Sequence, residues 1–185
     1  QLAAFALTER EAGSDAANVQ MQAQPSEDGS HFILNGEKRY ITNASIAQVL
    51  TVMARTPVPG KDKDAITAFL VTPEMEGFEM IEARMPKLGI RGTATGRFRL
   101  NNVQVPKENI LGPLGKGLRV ALTVLDFGRT TFGSSCTGGA KTCLTLAVQH
   151  ANTRQQFSKT LGTFDLVKKK IARMAADVYA MEAMT

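Results

Sequence analysis

The chain has 185 residues, of which 43% are hydrophobic and 21% charged, so it can bury a core and is not disordered by composition. Its formal net charge of +5 suits an anionic ligand, but no clustered basic, aromatic-rich motif argues for nucleic acid. No apolar run has the length of a membrane span, and nothing at the start reads as a signal peptide.

The first residue is Gln1, and the last stretch, "MAADVYAMEAMT", reads as helix without a C-cap signal. A piece of a longer protein is expected. Near the start, "FALTEREAGSDAANV" (5–19) is a short apolar run that stops at Thr8 and opens into Gly13, Ser14 and Asp15. Two readings fit. One is a strand end followed by a Ser or Asp cap. The other is a cradle for a phosphorylated cofactor, where Gly lets the backbone approach and Ser donates a hydrogen bond.

"HFILNGEKRYIT" (31–42) reads as two β-prone runs around Asn35-Gly36, the pair preferred in a type I′ hairpin. Alternation puts Lys38, Tyr40 and Thr42 on one face and Arg39 and Ile41 on the other. Strands follow at 48–56 and 65–72, joined by the loop "PVPGKDKD", and then at 77–83 and 95–106. Short strands separated by turn residues predict a small antiparallel barrel or sandwich. From Leu118 to about Ala151 the apolar spacing becomes helical, "TRQQFSKTLGTFD" breaks it, and a second helix runs from about Leu166 to the end.

Most single motifs have bland readings. "GPLGKG" (112–117) spaces its glycines as G-x-x-G-x-G, outside any βαβ unit, and reads as a turn into the helix. "KKK" (168–170) reads as a solvated helix face and the sequon at Asn43 as chance. His31 and His150 have no metal-ligand company and are expected at the surface. Cys136 and Cys143 lie on a predicted helix about 10.5 Å apart, too far for a disulfide, which predicts buried free thiols and a reducing compartment. Asp126 and Arg129, three apart on a helix, read first as a local ion pair.

In order, "FALTEREAGSDAANV", "LNGEKRYITNA", "KLGIRGTATGRFRLNNVQVPKENILGPLGKG", a helix bearing "LDFGR", and "TRQQF" resemble the acyl-CoA dehydrogenase family over essentially all 185 residues. The resemblance implies an α+β fold. Residues 1–112 would form a middle β-domain (antiparallel barrel or sandwich), and residues 113–185 the first helices of an α-helical bundle domain. It further implies FAD and the oxidation of an acyl-CoA thioester between Cα and Cβ to a trans-2-enoyl-CoA. A carboxylate would take the α-proton while the β-hydrogen leaves as hydride to the flavin.

By match to the family motifs, Phe5, Ala6, Leu7 and Thr8 would line the flavin ring, with backbone groups serving its pyrimidine side. Gly13 and Ser14 would sit at the FAD pyrophosphate and the entrance to the acyl-CoA site. Tyr40, Ile41 and Thr42 fall on a motif whose usual form is Trp-Ile-Thr, so a smaller aromatic here would cover less of the ring. Asp126, Phe127, Gly128 and Arg129 match the helix segment lining the acyl-CoA site. In one branch the catalytic glutamate occupies the position of Gly128, which cannot act as a base. The base is therefore expected beyond Thr185, leaving no catalytic residue in this chain and an inactive fragment. Gly128 and the "ENILG" context are most like very-long-chain members. Arg154 and Phe157 match residues that contact the FAD of a neighbouring subunit, although a surface ion pair and a core Phe also fit them. The partners implied are acyl-CoA, an electron-transfer flavoprotein and further copies in a homodimer or homotetramer, in the bacterial cytoplasm or the mitochondrial matrix. Two other readings stay open: an oxidase-like relative that reoxidises its flavin with oxygen, and a non-catalytic binding module or scaffold on the same fold.

Overall fold

A computed structural model describes residues 1–60 and 62–185. Lys61, in the predicted loop "PVPGKDKD", lies outside the described residues. The chain divides into two compact units, Gln1–Thr123 and Val124–Thr185.

The first unit is a seven-stranded sheet of β1 (Ala3–Ala6), β2 (Gln22–Pro25), β3 (His31–Ile41), β4 (Val49–Thr56), β5 (Ala65–Val71), β6 (Phe78–Glu82) and β7 (Gly96–Pro106). The strand order is β1-β4-β2-β3-β7-β6, with β5 also on β4. Most pairs are antiparallel, but β1 and β2 each run parallel to β4. In β7, Phe98, Leu100, Val103 and Val105 are buried, the in-and-out pattern of a strand with one face on a core. The run Ile66–Phe69 of β5 is buried continuously, as a strand covered on both faces should be. One cover is the start of α1 (Gly117–Thr153), whose Leu118, Val120 and Ala121 pack on the core. Gly117 is required there, because a Cβ would stand 2.4 Å from the Thr67 carbonyl carbon and the Ala68 nitrogen. Two aromatic pairs, Phe32–Phe69 at 5.3 Å and Phe78–Phe98 at 5.0 Å between ring centroids, fill the interior.

Three sequence expectations are corrected. Asn35-Gly36 is not a hairpin turn: β3 runs straight through it. The pair instead marks a bulge against β7, where the register passes from Leu34↔Val103 to Gly36↔Leu100. Asn35 clamps that bulge, donating from Nδ2 to Asn102 Oδ1 at 3.0 Å and accepting the Asn102 N–H at 2.8 Å. Second, the alternation of Lys38 with Tyr40 and Thr42 fails. An extra residue enters β3 between Lys38↔Phe98 and Ile41↔Gly96, so Lys38 and Ile41 are both buried while Tyr40 and Thr42 are exposed. Third, Cys136 and Cys143 are free but exposed, so burial supports no inference about compartment.

The second unit holds the remainder of α1, a two-residue ladder of β8 (Gln155–Gln156) with β9 (Lys159–Thr160), and α2 (Asp165–Met184). Along the Gly-, Ser- and Thr-rich stretch of α1 the hydroxyls turn back onto the helix. Thr130, Ser135, Thr137, Thr142 and Thr145 each donate to the carbonyl four residues earlier. An ion pair between Lys141 and Glu182 links α1 to α2. No described helix is long and apolar enough to cross a membrane.

Candidate functional site

The first group of predicted site residues gathers where β1 ends and β3 bulges. The β1–β4 ladder stops at Ala6↔Val52, and the chain then crosses to β3. There the Thr8 carbonyl accepts the Arg39 N–H at 3.1 Å. Lys38 Nζ donates to the Leu7 carbonyl at 3.0 Å and to Glu9 Oε1 at 2.7 Å. The Glu9 carboxylate also accepts the Gln20 and Met21 N–H groups at 2.6 and 3.1 Å. A buried charge is tolerated only when it is paired and hydrogen-bonded, and both conditions hold here. Burial pushes the Lys38 ammonium down to about 8, against the attraction of Glu9, which raises it.

These contacts fix Tyr40 in a left-handed conformation, φ 57°, which is uncommon for a bulky residue and carries strain that the surrounding structure must impose. Its ring stacks on the Arg39 guanidinium, 4.3 Å to the centroid, and its hydroxyl accepts from Arg39 Nη2 at 2.7 Å. Arg39 Nε is buried with no partner among the described residues. Tyr40 remains 57% exposed. Thr42, Gly13 and Ser14 are exposed as well, and nothing lies within 4 Å of a Cβ placed on Gly13. Phe5 is half-buried against the core, while Ala6, Leu7 and Ile41 are buried in it, so only the backbone of those three is available to a ligand. Two surface clefts lie elsewhere and contain none of these residues, one lined by Met75, Gly77, Asn101 and Gln104, the other by Phe32, Pro57 and Leu114, while a smaller one adjoins the ion pair at Glu9, Gln20 and Met21.

The second group lies in the other unit. Arg129 donates to Asp126 Oδ1 at 2.7 Å on α1, with both side chains about 70% exposed (69% and 72%). Phe127 is exposed, and open space surrounds Gly128. Arg154 leaves α1 with its N–H still donating to the His150 carbonyl at 2.9 Å. Phe157 and Ser158, with φ 53° and 61°, form the β8–β9 turn, the two positive-φ positions of a tight hairpin. Phe157 is therefore presented at the tip, 87% exposed. A core position for Phe157 is excluded within this unit, and Arg154 has no acidic partner among the described residues.

Residues 4–103 match the family described as acyl-CoA dehydrogenase, middle domain, and residues 115–185 the one described as acyl-CoA dehydrogenase, C-terminal domain. The chain belongs to the acyl-CoA dehydrogenase family. It is 39% identical to the human mitochondrial very long-chain specific acyl-CoA dehydrogenase over 99% of this chain and 28% of that protein. Its fold superposes on an acyl-CoA dehydrogenase complexed with FAD from Bacillus anthracis with a TM-score of 0.85 at 38% identity, covering 97% of this chain and 30% of that one. Butyryl-CoA dehydrogenase from Megasphaera elsdenii gives 0.85 at 36% identity, covering 97% and 46%. The chain thus spans less than half the length of these relatives. The family's mixed sheet followed by helices is the architecture described above.

Glu9 and Lys38 escaped the sequence reading. Alternation placed Lys38 beside Tyr40, and nothing in a single sequence pairs two opposite charges 29 positions apart. A lysine inside a β-prone run was the available signal.

Proposed function

We propose that this chain is the flavin- and substrate-binding part of an acyl-CoA dehydrogenase that converts an acyl-CoA to a trans-2-enoyl-CoA and passes electrons to an electron-transfer flavoprotein. The observation that carries this reading is the junction of two distant segments, 7–9 and 38–42, through the Arg39–Thr8 and Lys38–Leu7 hydrogen bonds. The residues of these segments and of the 13–14 loop fit FAD: Thr8, Ser14 and Thr42 have hydroxyls without a hydrogen-bond partner among the described residues, Tyr40 offers an aromatic face, and open space lies at Gly13. When bound, FAD supplies the two-electron acceptor for the Cα–Cβ bond.

The chain's own residues hold and orient. The Leu7–Thr8 backbone meets the pyrimidine side of the ring, Thr8 reaches toward its N5 region, and Gly13 and Ser14 meet the pyrophosphate and the acyl-CoA entrance. Tyr40 and Thr42 cover the ring face opposite the substrate. Asp126, Phe127 and Arg129 line the acyl-CoA path, with Gly128 leaving it open. Arg154, whose planar fork suits a pyrophosphate, and Phe157 reach the FAD of a neighbouring copy in a homodimer or homotetramer. The proton-abstracting carboxylate is supplied from beyond Thr185. The domain division near residue 112, and a location in the bacterial cytoplasm or the mitochondrial matrix, belong to the same proposal.

The test is the visible spectrum of the full-length protein, followed by anaerobic addition of acyl-CoAs of several chain lengths. A flavin band bleached by one chain-length class supports the reading and names the substrate. A colourless protein that cannot be reconstituted with FAD rejects it. Tyr40, smaller than the family's usual Trp, gives an oxygen-consuming relative some support, and oxygen uptake during turnover distinguishes the two.

A further inference from the structure

We propose that Lys38 is a positioning residue that sets the reduction potential of bound FAD by polarising the Leu7–Thr8 peptide. This rests on the placement of flavin at Thr8 given above. The geometry is a relay. The fully buried ammonium donates to the Leu7 carbonyl at 3.0 Å, and that carbonyl shares its peptide resonance with the Thr8 N–H. A charge-assisted bond to the oxygen draws electron density from the nitrogen and makes its N–H a stronger donor. Among the described residues the Thr8 N–H has no acceptor, while the Thr8 carbonyl is already held by Arg39.

Glu9 does not cancel the effect. Its carboxylate sits at 2.7 Å from Lys38 Nζ, but it also accepts the Gln20 and Met21 N–H groups, which spread its negative charge away from Leu7. The positive end of the buried pair is therefore directed at the peptide that meets the flavin. A stronger donor at the pyrimidine edge favours the more electron-rich, reduced form of the ring over the oxidised form. Lys38 would thus raise the potential without touching the cofactor, as a preorganised dipole does in a site poor in water.

The experiment measures the two-electron potential of bound FAD in the full-length protein by equilibration with a reference dye, for wild type, Lys38→Met, Glu9→Gln and the double variant Glu9→Gln/Lys38→Met. The double variant covers the case in which Lys38→Met alone does not fold, because it removes both charges and keeps an acceptor for one of the Gln20 and Met21 amides. Variants without the ammonium should lose about tenfold in affinity for reduced relative to oxidised FAD, a drop of about 30 mV. Glu9→Gln removes the attraction that helps keep Lys38 protonated. At a pH acid enough to hold the ammonium it should therefore leave the potential equal or higher, and as the lysine loses its proton the potential should fall to the Lys38→Met value. Equal weakening of both redox forms, with the potential unchanged, would mean that Lys38 only props the loop, and the proposal is overturned. A wild-type protein that binds no FAD overturns the flavin placement itself, a separate outcome.

Discussion

Lys38 and Glu9 form an ion pair 2.7 Å long in which the lysine side chain is fully buried and the glutamate nearly so. Removing one partner strands the other in the core, which costs far more than the pair itself is worth. Glu9→Ala should therefore destabilise the folded protein by about 3–5 kcal/mol, read from urea denaturation. The uncharged double variant Glu9→Gln/Lys38→Met should lose less than either single charge deletion. A double variant that loses the sum of the two would show that the pair is not coupled.

The same pair leaves a mark on pH dependence. Burial lowers the folded-state pKa of Lys38 from 10.5 to about 8, so between those values the unfolded chain holds more protons than the folded one. Stability contributed by this group therefore rises with pH from about 8 to 10.5 and is lost as pH falls through 8. The difference in unfolding free energy between wild type and Lys38→Met should shift in favour of wild type across that window and be flat at neutral pH. A difference that stays flat throughout would place Lys38 in water.

Two glycines on α1 should respond oppositely to alanine. At Gly117 the new Cβ meets backbone at 2.4 Å, so Gly117→Ala should cost about 1–3 kcal/mol as the helix start is pushed off β5. At Gly128 nothing lies within 4 Å, and Gly128→Ala should stabilise the helix by up to about 1 kcal/mol. Thermal melts of the two variants provide the check, and a loss at Gly128 would reveal a neighbour outside this chain.

Asp126 and Arg129 are well exposed and three residues apart, so their mutual coupling in a double-mutant cycle should stay below about 0.5 kcal/mol. A coupling well above 1 kcal/mol would show that further groups hold the pair in the full-length protein.

The strands of β4 to β7 and both helices were legible because hydrophobic spacing is local: Ile66–Phe69 and Phe98–Val105 carry their burial pattern in the residues themselves. The path of β3 was not. Asn35-Gly36 serves turns and bulges alike, and only the partner strand, with Asn102 opposite Asn35, decides between them. A single inserted residue before Tyr40 then reverses which side chains face inward, and no periodicity within β3 records it. The motif residues Thr8, Ser14, Tyr40 and Thr42 could be named from the order of the segments. Lys38 and Glu9, which hold those segments together, became visible only when 7–9 and 38–42 were brought side by side. The exposure of Cys136 and Cys143 escaped for a related reason, since a helix with one neighbour in its unit buries a narrow stripe.

The measurement to make first is the anaerobic titration of the full-length flavoprotein with acyl-CoAs, followed in the visible spectrum. Loss of the flavin band with one class of chain length, without oxygen present, is the expected result. Bound flavin that no acyl-CoA bleaches would contradict the dehydrogenase reading and leave a binding scaffold on this fold.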